Sequence, residues 1–245
     1  MTSKIEWTEH TWNPVIGCTK VSAGCKYCYA ETMAVRLQAM GSPDYVDGFR
    51  VVKMLPHKLD IPLRRKKPTT YFVNSMSDLF HPDVTVEFIG KVFDVMRETP
   101  QHQYQILTKR AERMREVLVN IDVPKNAWLG VTVENRKDGI PRIRELAKIK
   151  SFVKFLSVEP LLEDLGAINL AKIDWVIVGG ESGSKARPME KAWALAVKKQ
   201  CRKQKVKFFF KQWGAWGEDG AKRAKHLNGR NLSGRTWDEI PLIAV

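Results

Sequence analysis

Short apolar segments alternate with amphipathic segments along most of the chain. Several apolar segments are continuous runs, which is typical of strands buried on both faces of a sheet. They predict strands at residues 11–16, 70–74, 103–108, 128–133, 153–158, 175–179 and 206–210. The segments between them repeat their apolar positions with the helical period. These segments predict helices at residues 30–40, 84–97, 110–119, 137–149 and 189–203.

The order of these elements predicts the fold class. Repeated strand–helix units indicate an α/β protein with a parallel sheet and right-handed crossovers. An open doubly wound sheet and a full or partial (β/α) barrel of about six or seven parallel strands both fit this order. Periodicity alone does not choose between them.

The chain also divides into a long strand–helix part and a short C-terminal part. We expect a barrel-like domain at residues 1–213 and a C-terminal extension or cap, rich in Gly, Trp and charge, at residues 214–245. Residues 41–68 interrupt the first part, contain Gly41, Pro43, Gly48 and Pro56, and end in a basic run. A connection of this length is typical of a lid or a binding loop.

The predicted strands from the second to the sixth all end in residues that can form hydrogen bonds. In βα barrels the active site lies at this end of the sheet, so five such strand ends favour a lined pocket. Each residue by itself could also serve as a helix cap. The strand-end residues are Asn74, Ser75, Ser77, Asp78, Thr108, Lys109, Thr132, Glu134, Asn135, Ser157, Glu159, Gly179, Gly180 and Glu181.

Three of the four cysteines form a cluster between the first predicted strand and the first predicted helix. Cys18, Cys25 and Cys28 have the spacing C-x6-C-x2-C on a glycine-flanked loop, whereas Cys201 is distant. Three thiolates can bind a [4Fe–4S] cluster and leave one iron open, since such clusters normally take four cysteines. A zinc site needs a fourth ligand, for which His10 is the nearest candidate, and free core thiols are a third interpretation.

Charge and hydropathy narrow the class of protein. The chain has 41 Lys plus Arg against 27 Asp plus Glu, a formal charge of +14, which favours a polyanionic partner. No run of apolar residues is long enough for a membrane span, and residues 1–13 contain no apolar signal-peptide region. We therefore expect a cytoplasmic protein that does not bind membranes.

Basic residues concentrate in three segments. Residues 198–211 contain seven Lys or Arg and no acid, and residues 64–67 and 222–225 add more. Basic grooves with aromatic residues nearby are typical of nucleic-acid binding, and they also suit a nucleotide or a small anion. The alternative is a solvated face, and the run Phe208–Phe210 by itself predicts strand core.

The segment Cys25-Lys26-Tyr27-Cys28-Tyr29 resembles the second half of the radical S-adenosylmethionine (SAM) signature, C-x3-C-x-aromatic-C. The run Cys-x-Tyr-Cys-Tyr is especially similar to the spore photoproduct lyase branch. The first cysteine gap is six residues here and three in that signature. The chain also resembles a phage-associated family of three-cysteine proteins of poorly defined function, and this resemblance implies a bacterial or phage-infected cell. The matching phrases are residues 11–14, 73–80, 157–160, 179–182 and 209–214.

The resemblance implies a radical SAM type barrel that binds a [4Fe–4S] cluster through Cys18, Cys25 and Cys28. In that family SAM chelates the open iron, and reductive cleavage yields a 5′-deoxyadenosyl radical that abstracts hydrogen from a substrate. The implied reaction is modification or repair of a nucleic acid or nucleotide, with a flavodoxin or ferredoxin type electron donor. Two alternatives are a radical SAM enzyme acting on a peptide or partner protein, and a non-catalytic zinc- or cluster-containing nucleic-acid-binding protein.

The resemblance also implies SAM contacts at the strand ends. Asp78 would pair with the SAM ammonium group, and Gly179 and Gly180 would let the backbone approach adenine. Ordinary alternatives are a helix cap for Asp78, a simple turn for the glycines and a solvated carboxylate for Glu159. Cys201 is either a hydrogen-atom donor or a buried inert thiol. The expected SAM-binding residues are Tyr27, Tyr29, Asn74, Ser75, Ser77, Asp78, Thr132, Glu134, Asn135, Ser157, Glu159, Gly179, Gly180 and Glu181.

Overall fold

A computed structural model describes residues 5–242, so the outermost residues of both predicted domains, 1–4 and 243–245, lie outside the description. The strands are β1 His10–Trp12, β2 Val15–Ile16, β3 Lys53–Met54, β4 Thr70–Val73, β5 Gln103–Thr108, β6 Ala127–Thr132, β7 Lys154–Val158, β8 Trp175–Gly179 and β9 Lys207–Gln212. The α-helices are α1 Tyr29–Ala39, α2 Val86–Glu98, α3 Ala111–Val117, α4 Arg136–Lys148, α5 Lys191–Lys203 and α6 Lys225–Asn228.

Seven of these strands form one sheet in the order β1-β4-β5-β6-β7-β8-β9. The pairs β1–β4, β4–β5, β7–β8 and β8–β9 are parallel. The predicted α/β class with a parallel sheet is therefore confirmed. Among the described strands the order ends at β9 without returning to β1, which is the order of a partial rather than a full (β/α) barrel.

The chain forms two compact units whose segments alternate along the sequence. The first comprises Met1–Val21, Cys28–Gly130 and Lys148–Phe152, and the second comprises Ser22–Tyr27, Val131–Ala147 and Val153–Val245. Each has its own aromatic core. In the first, the rings of Tyr71 and Tyr104 stack with centroids 5.6 Å apart. In the second, Trp175 meets Phe209 edge-on at 5.9 Å. Phe208–Phe210 is buried, as predicted for strand core. The division into residues 1–213 and 214–245 stays a prediction.

The first predicted strand was wrong, because it is two strands in the structure. The other predicted boundaries that differ from the observed ones do so by one or two residues. Residues 11–16 form two strands: β1 pairs in parallel with β4, and β2 pairs antiparallel with β3. Pro14 stands between them and has no N–H for a ladder, so the chain changes partners there. Helix α2 begins two residues late because Thr85 is its N-cap, accepting a bond from the Phe88 amide at 3.2 Å.

Within residues 5–242 there is no helix with the length and apolar character that crossing a bilayer requires.

Candidate functional site

In the first unit, Asp78 lies in a dense hydrogen-bond network after β4. Its carboxylate accepts bonds from Thr108 Oγ1 at 2.7 Å and from the Phe80 and Lys109 amides at 3.0 and 3.2 Å. Arg110 Nη1 donates to Asp78 Oδ2 at 2.9 Å, and the two side chains are only 10% and 7% exposed. Both carboxylate oxygens of Asp78 therefore have partners within the protein.

Arg110 connects Asp78 to the cysteine loop. The same Nη1 lies 3.6 Å from Cys18 Sγ, and Nη2 donates to the carbonyl and hydroxyl oxygens of Thr19, each at 3.0 Å. Burial opposes the charge of this guanidinium, but Asp78 and Cys18 outweigh it and raise the pKa of Arg110. A buried cation that stays charged favours the thiolate form of an adjacent cysteine.

His81 also belongs to this network. Its Nε2 lies 2.7 Å from Thr19 Oγ1, and its Nδ1 accepts a bond from the Asp83 amide at 3.2 Å. Burial and the nearby Arg110 charge lower the pKa of His81. The lowered pKa favours the neutral form of the ring beside Thr19.

In the second unit, Glu134 forms a fully buried ion pair after β6. Arg142 of α4 donates to Glu134 Oε2 at 2.6 Å and to the Thr132 carbonyl at 2.9 Å. Ser22 Oγ and the Gly24 amide both donate to Glu134 Oε1. Glu134 therefore fixes the turn of the cysteine loop that precedes Cys25.

Glu159 follows β7 and is also paired. Lys211 Nζ lies 2.8 and 2.9 Å from its two oxygens, and Gln212 Nε2 donates to Oε1 at 3.1 Å. The carboxyl carbon occupies the space beside Gly179, where an added Cβ would approach it to 3.2 Å. A Cβ on Gly180 would lie 1.9 Å from the Trp213 carbonyl oxygen. These contacts give both glycines a packing role, and their contact with adenine stays a prediction.

Glu181 follows β8 and binds Arg187 in a bidentate pair. Arg187 Nη2 donates to Oε1 at 2.6 Å and Nε donates to Oε2 at 2.9 Å, which raises the pKa of Arg187. Arg187 also donates to the Ala23 carbonyl at 3.0 Å and lies 5.4 Å from the Tyr27 ring centroid. Tyr27 and Glu181 are thus joined through one guanidinium.

The other predicted SAM-binding residues have varied surroundings. Tyr29 is 60% exposed, and its hydroxyl donates to the Ser75 carbonyl. Ser75 Oγ donates to Asn13 Oδ1 at 3.1 Å, and Ser77 Oγ donates to the Val15 carbonyl at 2.7 Å. Asn135 precedes α4, where its Oδ1 accepts from the Asp138 amide at 2.7 Å. The buried Ser157 contributes its backbone carbonyl, which accepts from the Val133 amide at 2.9 Å.

Two predicted residues carry buried polar atoms without a protein partner. Asn74 Nδ2 and Thr132 Oγ1 are buried and have no hydrogen-bond partner in the described structure. Asn74 also has a positive φ of 60°, which ends β4. Unpaired buried polar atoms are costly and call for an explanation. A polar ligand such as SAM would satisfy them, so both residues fit its binding.

The three clustered cysteines form no disulfide and are of intermediate burial on the loop between β2 and α1. The Cys18 amide donates to the Phe49 carbonyl at 2.9 Å, the Cys25 amide donates to the Ser22 carbonyl at 3.0 Å, and Cys28 is the N-cap of α1. Within residues 5–242 no three His, Cys, Asp or Glu side chains are grouped so as to hold a metal ion. Three cysteine thiolates are nevertheless a donor set of the type that binds iron–sulfur clusters, so the residue types fit such a cluster.

A family model described as protein of unknown function (DUF5131) matches residues 2–241. The chain belongs to this family. Comparison with curated proteins gives no match.

Among solved structures the chain is similar to spore photoproduct lyase. A cysteine-to-serine variant gives 15% identity and a TM-score of 0.48, and the lyase complexed with dinucleoside spore photoproduct gives 14% and 0.47. A double variant with bound AdoMet and the dinucleoside gives 14% and 0.46. Each match covers 83% of this chain and 63% of the lyase chain. These values are too low to carry an inference about function. The phage association stays a prediction.

The sequence analysis of this DUF5131 member did not identify the four basic residues that pair with the strand-end acids. Arg110, Arg142 and Arg187 were not singled out, and Lys211 was counted only within a basic run. A usable signal was present for three of them. Each follows a strand-end acid or hydroxyl by two to eight residues, as Arg110 follows Thr108, Arg187 follows Glu181 and Arg142 follows Glu134.

Cys201 lies inside α5 and is fully buried. Burial raises the pKa of its thiol to about 12. Its position on a helix before the last strand agrees with the prediction, and hydrogen-atom donation by this residue stays a prediction.

Proposed function

We propose that this protein is a radical SAM enzyme that binds a [4Fe–4S] cluster through Cys18, Cys25 and Cys28 and modifies or repairs a nucleic acid or nucleotide. One observation carries the proposal: three half-exposed thiols that form no disulfide lie on the loop between β2 and α1 of a parallel α/β fold. Tyr27 stands directly before the third thiol, as in the signature that the segment resembles. When bound, the cluster would supply the electron that cleaves SAM to a 5′-deoxyadenosyl radical.

The residues of the chain would prepare the thiols and hold the loop. Arg110, fixed by Asp78, donates toward Cys18 Sγ and favours its thiolate, which is the form that binds iron. Glu134 holds the amide of Gly24 and the hydroxyl of Ser22, so it restrains the turn before Cys25. These contacts would orient ligands and would carry no electron themselves.

Other residues would bind SAM. Asn74 Nδ2 and Thr132 Oγ1 are the strongest candidates, because each is a buried polar atom that lacks a protein partner. Asp78, Glu159 and Glu181 are already paired with cations. Pairing of any of them with the SAM ammonium group would therefore be shared with the existing base. The remaining proposed contacts are Tyr27, Tyr29, Ser75, Ser77, Glu134, Asn135, Ser157, Gly179 and Gly180.

The substrate and partners are proposed from charge. A formal charge of +14 and exposed basic residues on α5 and β9 favour a polyanion. The reaction also needs an electron donor, for which we propose a flavodoxin or ferredoxin type protein in the cytoplasm. A non-catalytic zinc- or cluster-containing nucleic-acid-binding protein is the second candidate, because cysteine thiolates also bind zinc.

SAM cleavage tests this proposal against the zinc alternative. The full chain would be reconstituted anaerobically with iron and sulfide, reduced with dithionite and incubated with SAM, with and without DNA, RNA or nucleotides. The proposal predicts 5′-deoxyadenosine from the wild type and from Cys201→Ala, and none from Cys28→Ala. Absence of 5′-deoxyadenosine from an iron-loaded wild type under every condition would overturn it.

A further inference from the structure

A basic cavity lies beside the loop that follows β8, within the second unit. Its volume is about 390 Å³, and it is lined by Gly183, Ser184, Ala215 and residues 222–225, which include two lysines, one arginine and no acid. Pockets that hold small ligands have volumes of about 300–1,000 Å³. The cavity therefore has room for a phosphate group and part of the attached nucleoside.

Lys222 contributes a positive charge to this cavity, and its side chain is held in place by two contacts. Its Nζ donates to the Ser184 carbonyl at 2.6 Å and lies 5.4 Å from the ring centroid of Trp216. Neither partner carries a negative charge, so among the described residues this ammonium group has no ion-pair partner. Arg223 differs, because Asp219 accepts two bonds from its guanidinium and neutralises it. Lys222 is therefore the group best suited to receive an anion.

Open space and an aromatic ring lie next to lining residues of the cavity. A Cβ added to Gly183 would meet no atom within 4 Å, so the space beside this lining residue is open. Trp216 is half-buried, and its Nε1 donates to the Ala186 carbonyl at 2.7 Å, which fixes the ring beside Lys222. Proteins that bind single-stranded nucleic acids combine aromatic rings, on which bases stack, with basic side chains that bind the phosphates. The fixed Trp216 ring next to Lys222 is such a combination.

The same loop carries one of the proposed SAM-binding residues. Gly183 and Ser184 lie two and three residues after Glu181, and the Glu181–Arg187 pair connects the two ends of this loop. A ligand in the cavity would thus be bound by the loop that begins at the carboxyl end of β8.

We propose that this cavity binds a backbone phosphate of a single-stranded nucleic acid. Lys222 pairs with the phosphate, and the Trp216 ring lies beside the adjacent base. This inference rests on the proposed function, because it assigns a binding point to the substrate class proposed there.

Fluorescence anisotropy tests the inference with a labelled 12-nucleotide single-stranded DNA and its RNA counterpart. The full, reconstituted chain would be compared with the double variant Lys222→Gln, Lys225→Gln. A matched control, Lys91→Gln with Lys137→Gln, removes the same charge from exposed positions on α2 and α4. Circular dichroism and thermal unfolding would verify that every variant is folded.

The inference predicts that the cavity variant binds the oligonucleotide about tenfold more weakly than the control and has a shallower salt dependence. Lys222→Arg alone should bind like the wild type, because it keeps the charge. Equal affinity of the cavity and control variants would overturn the inference, as would inorganic phosphate binding without oligonucleotide binding. SAM cleavage by the wild type, measured in parallel, reports on the proposed function separately.

Discussion

Arg110 donates to the carboxylate of Asp78 at 2.9 Å, and both side chains are almost completely withdrawn from solvent. The same guanidinium nitrogen lies 3.6 Å from Cys18 Sγ. The sequence predicts that Asp78 binds SAM, and that contact stays a prediction. In the structure Asp78 binds the Arg110 guanidinium, which faces Cys18. The pair therefore links the end of β4 to the cysteine loop within the first unit.

Breaking this buried pair should destabilise the fold strongly. Asp78→Asn and Arg110→Met should each lower the free energy of unfolding by about 3–5 kcal/mol, because each leaves one buried charge without its partner. The double variant should recover part of that loss. Urea unfolding of both singles and the double measures the coupling. The exposed Asp94–Arg97 pair on α2 is the control, with an expected coupling below about 1 kcal/mol. Couplings of similar size at the two pairs would contradict this account.

The acids after β7 and β8 should affect SAM binding without affecting iron content. Glu159→Gln and Glu181→Gln remove the charges that position Lys211 and Arg187, so we expect weaker binding of radiolabelled SAM in equilibrium dialysis. Glu112→Gln alters an exposed carboxylate on α3 and serves as the control. Unchanged SAM affinity in both test variants would show that these strand ends do not belong to the SAM site.

Cys201 should be inert to alkylation in the native protein. With a thiol pKa of about 12 and full burial, only about one molecule in ten thousand carries the thiolate at pH 8. Brief treatment of the metal-free chain with iodoacetamide, followed by mass spectrometry, should label Cys18, Cys25 and Cys28 and spare Cys201. Labelling of Cys201 at the same rate as the other three would contradict its buried position.

The basic run at residues 198–211 should contribute to nucleic-acid binding only through its unpaired members. Lys198 Nζ lies 3.8 Å from the ring centroid of Trp237. Two further members form ion pairs, Arg202 with Glu239 and Lys211 with Glu159. The exposed lysines of this run include Lys203, Lys205 and Lys207.

Charge reversal at these three lysines should weaken binding to DNA or RNA. The slope of log K against log salt should also flatten, by about 0.7–0.9 per lost phosphate contact. Titrations at two salt concentrations measure both effects. Reversal of Lys91, Lys137 and Lys150 is the control for net charge. If the control variant lost as much affinity as the test variant, the run would have no specific role.

The sequence predicted the regular elements well where burial decides them. Strands β5 and β8 were predicted to the residue: β8 is a short, fully buried apolar run, and β5 is mostly buried although it contains two glutamines and a threonine. The split of the first strand at Pro14 was missed, although a proline that lacks an N–H could have indicated it. The acids at the strand ends were found from their positions after the strands.

The ion pairs that join residues from two different strand ends could not be predicted in the same way. Asp78 and Arg110 are 32 residues apart, and Glu159 and Lys211 are 52 apart. Such pairs form only when parallel strands bring their carboxyl ends to one edge of the sheet. The orphaned atoms of Asn74 and Thr132 are equally invisible in the sequence, because burial without a partner is a property of packing.

The central claim is a three-cysteine iron–sulfur centre, and metal analysis after anaerobic reconstitution tests it most directly. The account predicts about four irons and four sulfides per chain for the wild type and for Cys201→Ala. Cys18→Ala, Cys25→Ala and Cys28→Ala should each lose the cluster while remaining folded. Stoichiometric zinc with no iron in the wild type would contradict the account, and so would a full cluster in any of the three alanine variants.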